Sequence, residues 1–286
     1  RVTASLRSIC LALYPPVYYA FPFQPAAATR PLTELQILQL AAIFIVVAML
    51  YSSVGHAGAS GYLAAMALVG VVPEAMRPTA LTLNIVVAAF TTWRFRSARY
   101  FDAKVVAPFL VGSIPLAFIG GGIRLPSHVY QALVGVVLLC SAIYLAWRAF
   151  SNTDQRAEVG VKVPLWASPL IGAAIGLLSG LTGTGGGIFL SPLILLMGWA
   201  GPKATAGISA PFIMVNSIAG LAGGLIKGSF SFATIPYAAA PLIAAAIVGA
   251  LIGTWLGIYK LTNRWLVAML ALVMMVASVK LVTVTL

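Results

Sequence analysis

Two glycine-rich runs hold most of the residues in this chain whose types and spacing could do chemistry. One is Gly180-Leu181-Thr182-Gly183-Thr184-Gly185-Gly186-Gly187, the other Gly55-His56-Ala57-Gly58-Ala59-Ser60-Gly61. Glycines let a backbone turn sharply and come close to a ligand. A helix restarting near Ile188 would aim its first N–H groups at the break, and such helix starts attract anions. Thr182 and Thr184 add hydroxyl donors, and the other run offers His56 and Ser60. Together they suit a small oxyanion held without a buried arginine. His56 is the single ionisable group deep in an apolar stretch, and its titration near neutral pH would suit coupling to a proton. Further polar groups lie in apolar surroundings: Thr82, Asn84, Ser209, Asn216 and Ser217. The candidate substrate-binding set is therefore His56, Gly58, Ser60, Asn84, Thr182, Gly183, Thr184, Gly185, Gly186, Ser209 and Asn216.

The elements that must position these groups are read from charge spacing. Hydrophobic residues make up 61% of the 286-residue chain and charged residues 8%, against about 25% charged in ordinary soluble domains. This excludes a water-soluble enzyme, a disordered tail and a disulfide-stapled secreted domain, and leaves an all-α polytopic membrane protein. Five acids exclude a carboxylate-built metal centre, and the two cysteines, Cys10 and Cys140, have no metal spacing. No cofactor is expected. The net charge of +12 comes from 17 Lys and Arg scattered singly, a pattern of headgroup anchoring rather than of a nucleic-acid stripe. Glu74 and Arg77 are expected to flank a surface turn, Pro73 to Pro78, as an ion pair, and every cation is expected to stand clear of the two breaks.

Residues 35–73 and 163–202 carry no charge, and each is about twice the roughly 20 apolar residues of one membrane helix. Each must fold back at its glycine run. Ten helical pieces result: 35–56, 59–72, 79–93, 105–123 and 129–147, then 165–182, 188–199, 205–226, 231–259 and 265–285. Those at 59–72 and 188–199 are short enough to be re-entrant, giving about eight to ten membrane segments. Basic loops 94–104 and 148–164 are placed in the cytoplasm. Residues 1–30 are set apart as an extension of unknown role. The chain does not begin with Met, so this start is expected to be processed or trimmed. It partly resembles a signal sequence, with Ala26-Ala27-Ala28 as a cleavage region, but Pro15, Pro16, Pro22 and Pro25 interrupt its apolar core.

The halves 31–150 and 151–286 repeat one another. An offset of 125 aligns Gly55, Gly58 and Gly61 with Gly180, Gly183 and Gly186, and Asn84 with Ser209; a larger offset pairs Gly120 with Gly249. Each half is a broken hairpin plus three helices. An odd number of segments turns the second repeat upside down, an arrangement found in many secondary transporters.

On these residues, with Gly183-Thr184-Gly185-Gly186-Gly187 leading into Ser191-Pro192-Leu193 and then Ala204-Thr205-Ala206-Gly207-Ile208-Ser209, the chain resembles the sulfite exporter TauE/SafE family of membrane permeases over about residues 35–285. The resemblance implies transport of sulfite, sulfonates such as sulfoacetate, or thiosulfate across a bacterial cytoplasmic membrane. Ile208 stands where Thr is usual, and the first glycine run is diluted to Gly58-Ala59-Ser60-Gly61. No Gly-x-x-x-x-Gly-Lys-Ser/Thr motif is present, so an ion gradient or the membrane potential would drive the cycle. Two other readings stay open: an anion channel on the same architecture, and an intramembrane serine protease, because Gly58-Ala59-Ser60-Gly61 matches the Gly-x-Ser-Gly of rhomboid-type enzymes.

Overall fold

The computed structural model describes residues 33–69, 71, 73–123, 139, 142, 143, 146, 147, 166–230 and 239–283. They fall within the unit Leu32–Leu286. The extension 1–30, the loop 148–164, most of the helix expected at 129–147, Cys10, Cys140 and His128 lie outside the described residues. Among those described, every regular element is a helix: α1 (Glu34–Ser53), α2 (Ala59–Leu68), α3 (Pro73–Ser97), α4 (Ala103–Gly121), α5 (Ser168–Thr182), α6 (Gly187–Leu196), α7 (Pro202–Ile226), α8 (Ala239–Trp255) and α9 (Asn263–Thr283). A π-helical turn, Leu256–Lys260, prolongs α8.

The helix starts follow local rules. Thr33 and Gln36 close a capping box on α1, and Asp102 accepts from the Lys104 N–H at the start of α4. Pro202 opens α7, where the N–H it lacks would have had no partner. Pro73 opens α3 in the same way, so the expected turn from Pro73 to Pro78 is instead the first part of a 25-residue helix. Pro78 lies inside that helix. The Thr79 hydroxyl donates back to the Ala75 carbonyl and that of Thr82 to the carbonyl of Pro78 itself.

Among the described residues, four helices are long and apolar enough to cross a membrane: α1, α4, α7 and the Ala240–Lys260 stretch of α8 with its π turn. By contrast, α2 and α6 have ten residues each, about 15 Å of helix at 1.5 Å per residue, or half of a hydrocarbon core of about 30 Å.

Two parallel helix pairs pack backbone to backbone. Along α5, Gly172, Gly176 and Gly180 face the carbonyls of Phe109, Ser113 and Ala117 on α4, so close that a Cβ would fall within 2.0, 2.4 and 2.2 Å of them. Along α8 and its π turn, Gly249, Gly253 and Gly257 face the carbonyls of Ile45, Met49 and Ser53 on α1 at 2.3, 2.2 and 2.0 Å by the same measure. A four-residue spacing of small residues puts one backbone against another. Between the pairs, α3 and α7 run antiparallel. Phe230, past the end of α7, lies under Arg77 near the start of α3, while the Tyr100 carbonyl, past the end of α3, abuts Gly207 near the start of α7. An apolar core of Leu40, Phe44, Tyr62, Leu83 and Ile213 joins α1, α2, α3 and α7.

Two helices of the first half match their counterparts in length. Both α2 and α6 have ten residues, and both α3 and α7 have 25. Helix starts set the offset at 128 for the short helices, Ala59 against Gly187, which matches Gly55 and Gly58 with Gly183 and Gly186. Counted from Pro73 and Pro202, Asn84 corresponds to Ile213, one helical turn beyond Ser209.

Candidate functional site at the helix breaks

The second break is built by three glycines with left-handed backbone. Gly183 (φ 73°) ends α5, with its N–H on the Ser179 carbonyl at 2.8 Å. Gly185 and Gly186 follow at φ 80° and 82°, a conformation costing an L-residue roughly 1–2 kcal/mol. The Thr184 hydroxyl meets that of Thr182 at 2.8 Å, and Thr182 donates to the Leu178 carbonyl at 2.8 Å. Both hydroxyls are thus committed to finishing α5.

At the start of α6, Gly186 occupies the cap position with no side-chain hydrogen bond. The N–H groups of Phe189 and Leu190 both turn to the Gly186 carbonyl at 3.1 Å. Those of Gly187 and Ile188 precede any carbonyl four residues back and point out of the helix end. Asn84 of α3 and Ser217 of α7 converge there. The Asn84 Nδ2 donates to the Thr184 carbonyl at 3.2 Å and to the Ser217 hydroxyl at 3.4 Å. A Cβ on Gly185 would lie 2.9 Å from each of Asn84 Nδ2 and Ser217 Oγ and 2.7 Å from Ile213. Asn84 and Ser217 are fully buried, and Asn84 Oδ1 has no partner among the described residues.

The first break reaches the same place from the other side. Gly58 (φ 103°) starts α2 by accepting the Tyr62 N–H. The His56 ring is buried against Gly187, where a Cβ would come within 3.3 Å of its Cδ2. The breaks also pack reciprocally on the long helices: Gly55 against Ala206 near the start of α7, Gly183 against Arg77 near the start of α3.

The structure thus gathers His56, Asn84, Thr184, Gly185 and Gly186 around the start of α6, with Thr182 and Gly183 shaping the approach. It turns the others elsewhere. Gly58 packs on Tyr62 and Val47. The Ser60 hydroxyl pairs with that of Tyr51 at 2.7 Å, and His56 Nε2 has no hydrogen-bond partner, so Ser60 and His56 do not form the nucleophile–base pair of a serine protease. Ser209 pairs with Ser191 at 2.6 Å, tying α7 to α6. Asn216 donates to the Phe212 carbonyl of its own helix at 2.8 Å.

Two participants were not in the expected set. Ser217 follows Asn216 in an apolar block, a visible signal, but its partner depends on how α3 crosses α7. Arg77 corrects the expectation of a surface turn with every cation clear of the breaks. It is half-buried, and its Nη2 donates to the carbonyls of Gly180 on α5 and Gly120 on α4. The guanidinium sits 5.0 Å from the Phe230 ring. A cation at two helix C-termini is favourable, and it fixes the end of α5 from which the break departs.

No solved structure matches the chain. The probable membrane transporter protein y4hK of Sinorhizobium fredii (strain NBRC 101917 / NGR234) is 37% identical over 248 residues, covering 87% of this chain and 99% of that protein. The family model for the sulfite exporter TauE/SafE matches residues 40–281. These residues include both breaks, the helices that cross beside them and the glycine-faced pairs that frame them, and the chain belongs to the sulfite exporter TauE/SafE family of membrane permeases.

Proposed function

We infer that this membrane transporter is a secondary permease of small sulfur oxyanions: sulfite, sulfonates such as sulfoacetate, or thiosulfate. It would act as a multi-pass protein of a bacterial cytoplasmic membrane and perform no covalent chemistry. One observation carries the reading: a buried helix start with uncapped N–H groups, onto which Asn84 and Ser217 converge from two other helices. Ser217 accepts from Asn84, so its own proton is available to an anion. Backbone N–H and hydroxyl donors stabilise a small oxyanion without a fixed countercharge, and the Asn84 amide, donating to Thr184 and Ser217, holds them in place. The family description names sulfite.

Alternating access follows from reading the halves as inverted repeats. Supporting this are the equal lengths of α2 and α6 and of α3 and α7, the antiparallel course of α3 and α7, and the exchange of contacts in which each break packs on the other half's long helix. Substrate would then sit between the halves, and rocking one against the other would open it to each side in turn.

The test is a binding screen of purified protein against sulfite, thiosulfate, sulfoacetate and taurine, with Gly185→Val alongside. The valine fills the space between Asn84 and Ser217. At least one oxyanion is expected to bind the wild-type chain and to lose all measurable affinity for folded Gly185→Val. Undiminished affinity in a folded variant places the anion elsewhere.

A further inference from the structure

The chain treats the two nitrogens of the His56 ring differently. Nδ1 faces the Val54 carbonyl at 3.2 Å. A carbonyl only accepts, so this contact favours the Nδ1–H tautomer of the neutral ring. Nε2 is then a bare lone pair. It is buried without a hydrogen-bond partner among the described residues, on a side chain 2% exposed. The ring lies against Gly187, with Cδ2, the carbon bonded to Nε2, nearest the space a side chain there would take. Gly187 is the first residue of α6, whose uncapped N–H groups form the anion site proposed above.

An oxyanion on those N–H groups presents its lone pairs to the lone pair of Nε2. The contact becomes a hydrogen bond only with a proton between them. We propose that His56 takes one proton into the site with each anion, shared between Nε2 and an anion oxygen; this rests on the reading of the α6 start as the anion site. The proton arrives from water onto Nε2 or already on the anion. In the first case an O–H bond of hydronium breaks as the Nε2–H bond forms and water leaves; in the second the anion keeps its O–H, which hydrogen-bonds to Nε2. A monoanion and its proton cross as a neutral pair, so the step bearing them is indifferent to membrane potential.

The Tyr62 hydroxyl is buried without a hydrogen-bond partner among the described residues; the other charged and titratable groups on neighbouring elements are engaged elsewhere. Tyr51 of α1 is held by Ser60, and Tyr62 of α2 packs on Phe44. Arg77 of α3 holds the ends of α4 and α5, and Lys203 of α7 donates to the Ile258 carbonyl at 2.8 Å. Helix α6 has no titratable side chain. Of the acids opening described helices, Glu34 and Asp102 stand at exposed starts.

The chain has two histidines, so nitrogen-15 labelling of histidine gives two rings, and His56→Gln assigns them. The full chain in lipid nanodiscs is measured between about pH 6 and pH 8, without anion and with saturating thiosulfate, sulfite or sulfoacetate. The expected result is an Nδ1–H neutral ring alone and a proton at Nε2 with anion. Thiosulfate, fully ionised throughout, should be bound with proton uptake and with affinity falling by up to about tenfold per pH unit as pH rises. His56→Gln should show neither effect. An Nε2–H tautomer or a charged ring without anion overturns the proposal whatever binds. An anion bound with no proton at Nε2 overturns it and leaves the site standing. If none of the three anions binds the wild-type chain, the transport reading falls and the proton falls with it.

Discussion

At the scale of single residues, the contrast between Ser217 and Thr184 separates binding from packing. Ser217 accepts one hydrogen bond from Asn84 and keeps its own proton to give. Ser217→Ala should weaken oxyanion binding by about 1–3 kcal/mol and, because the buried Asn84 amide loses an acceptor, also lower stability by about 1 kcal/mol. Thr184 has its hydroxyl committed to Thr182. Thr184→Val should cost about 1 kcal/mol of stability and leave affinity within about threefold, or about 0.65 kcal/mol. Calorimetric titration and thermal melts on the same preparations check both, and an affinity loss confined to Thr184→Val would reverse the assignment. The Thr-Gly run was legible in the sequence because small polar residues interrupt a long apolar block. The role of Ser217 was not, because its partner stands 133 positions away and only the crossing of α3 and α7 brings it near. Asn84 and Ser209 look equivalent by residue spacing, yet the helix starts place them one turn apart, so one faces the break and the other a packing serine.

At the scale of elements, the parallel pairs depend on bare backbone. A Cβ on Gly253 would fall 2.2 Å from the Met49 carbonyl and 2.2 Å from the Ser52 hydroxyl. Gly253→Leu must therefore push α8 off α1, beyond the about 1–3 kcal/mol of ordinary overpacking. Its melting transition should drop sharply or lose cooperativity. Gly201→Ala, with nothing within 4 Å of the new methyl, should melt with the wild type. Equal melting of the two variants would contradict the packing described. The glycines of α5 and α8 are visible along the sequence, but the helix that each row faces depends on long-range packing. The structure replaces the turn expected from Pro73 to Pro78 with the start of α3. Proline suits a first helical position as well as a turn, and nothing local distinguishes the two. The same turn would leave Arg77 at the surface, whereas its partners lie on α4 and α5.

At the scale of the whole molecule, cations and aromatic rings gather where α3 ends and α7 begins. Arg94 lies 6.0 Å from the Tyr259 ring, Arg96 5.7 Å from Phe101, Lys203 5.8 Å from Tyr100 and Lys260 5.3 Å from Trp255. Rings and cations at one end suit a headgroup layer, and the basic α3–α4 turn is expected in the cytoplasm. Because α3 and α7 run antiparallel, Ser97→Cys should resist a membrane-impermeant thiol reagent in whole cells while Lys227→Cys reacts. The reverse pattern would invert the orientation, and labelling of both would break the antiparallel arrangement across the membrane. Composition made the membrane class legible without a structure. The meeting of the two breaks was only suggested by the repeat, because it depends on long-range packing. The most direct test of the central claim, that a small sulfur oxyanion crosses at the start of α6, is counterflow in proteoliposomes loaded in turn with unlabelled sulfite, thiosulfate or sulfoacetate. The account predicts saturable uptake of the labelled anion against its gradient by the wild-type chain for at least one of the three, and none by folded Gly185→Val. Downhill leakage without counterflow, or counterflow untouched by Gly185→Val, would contradict it.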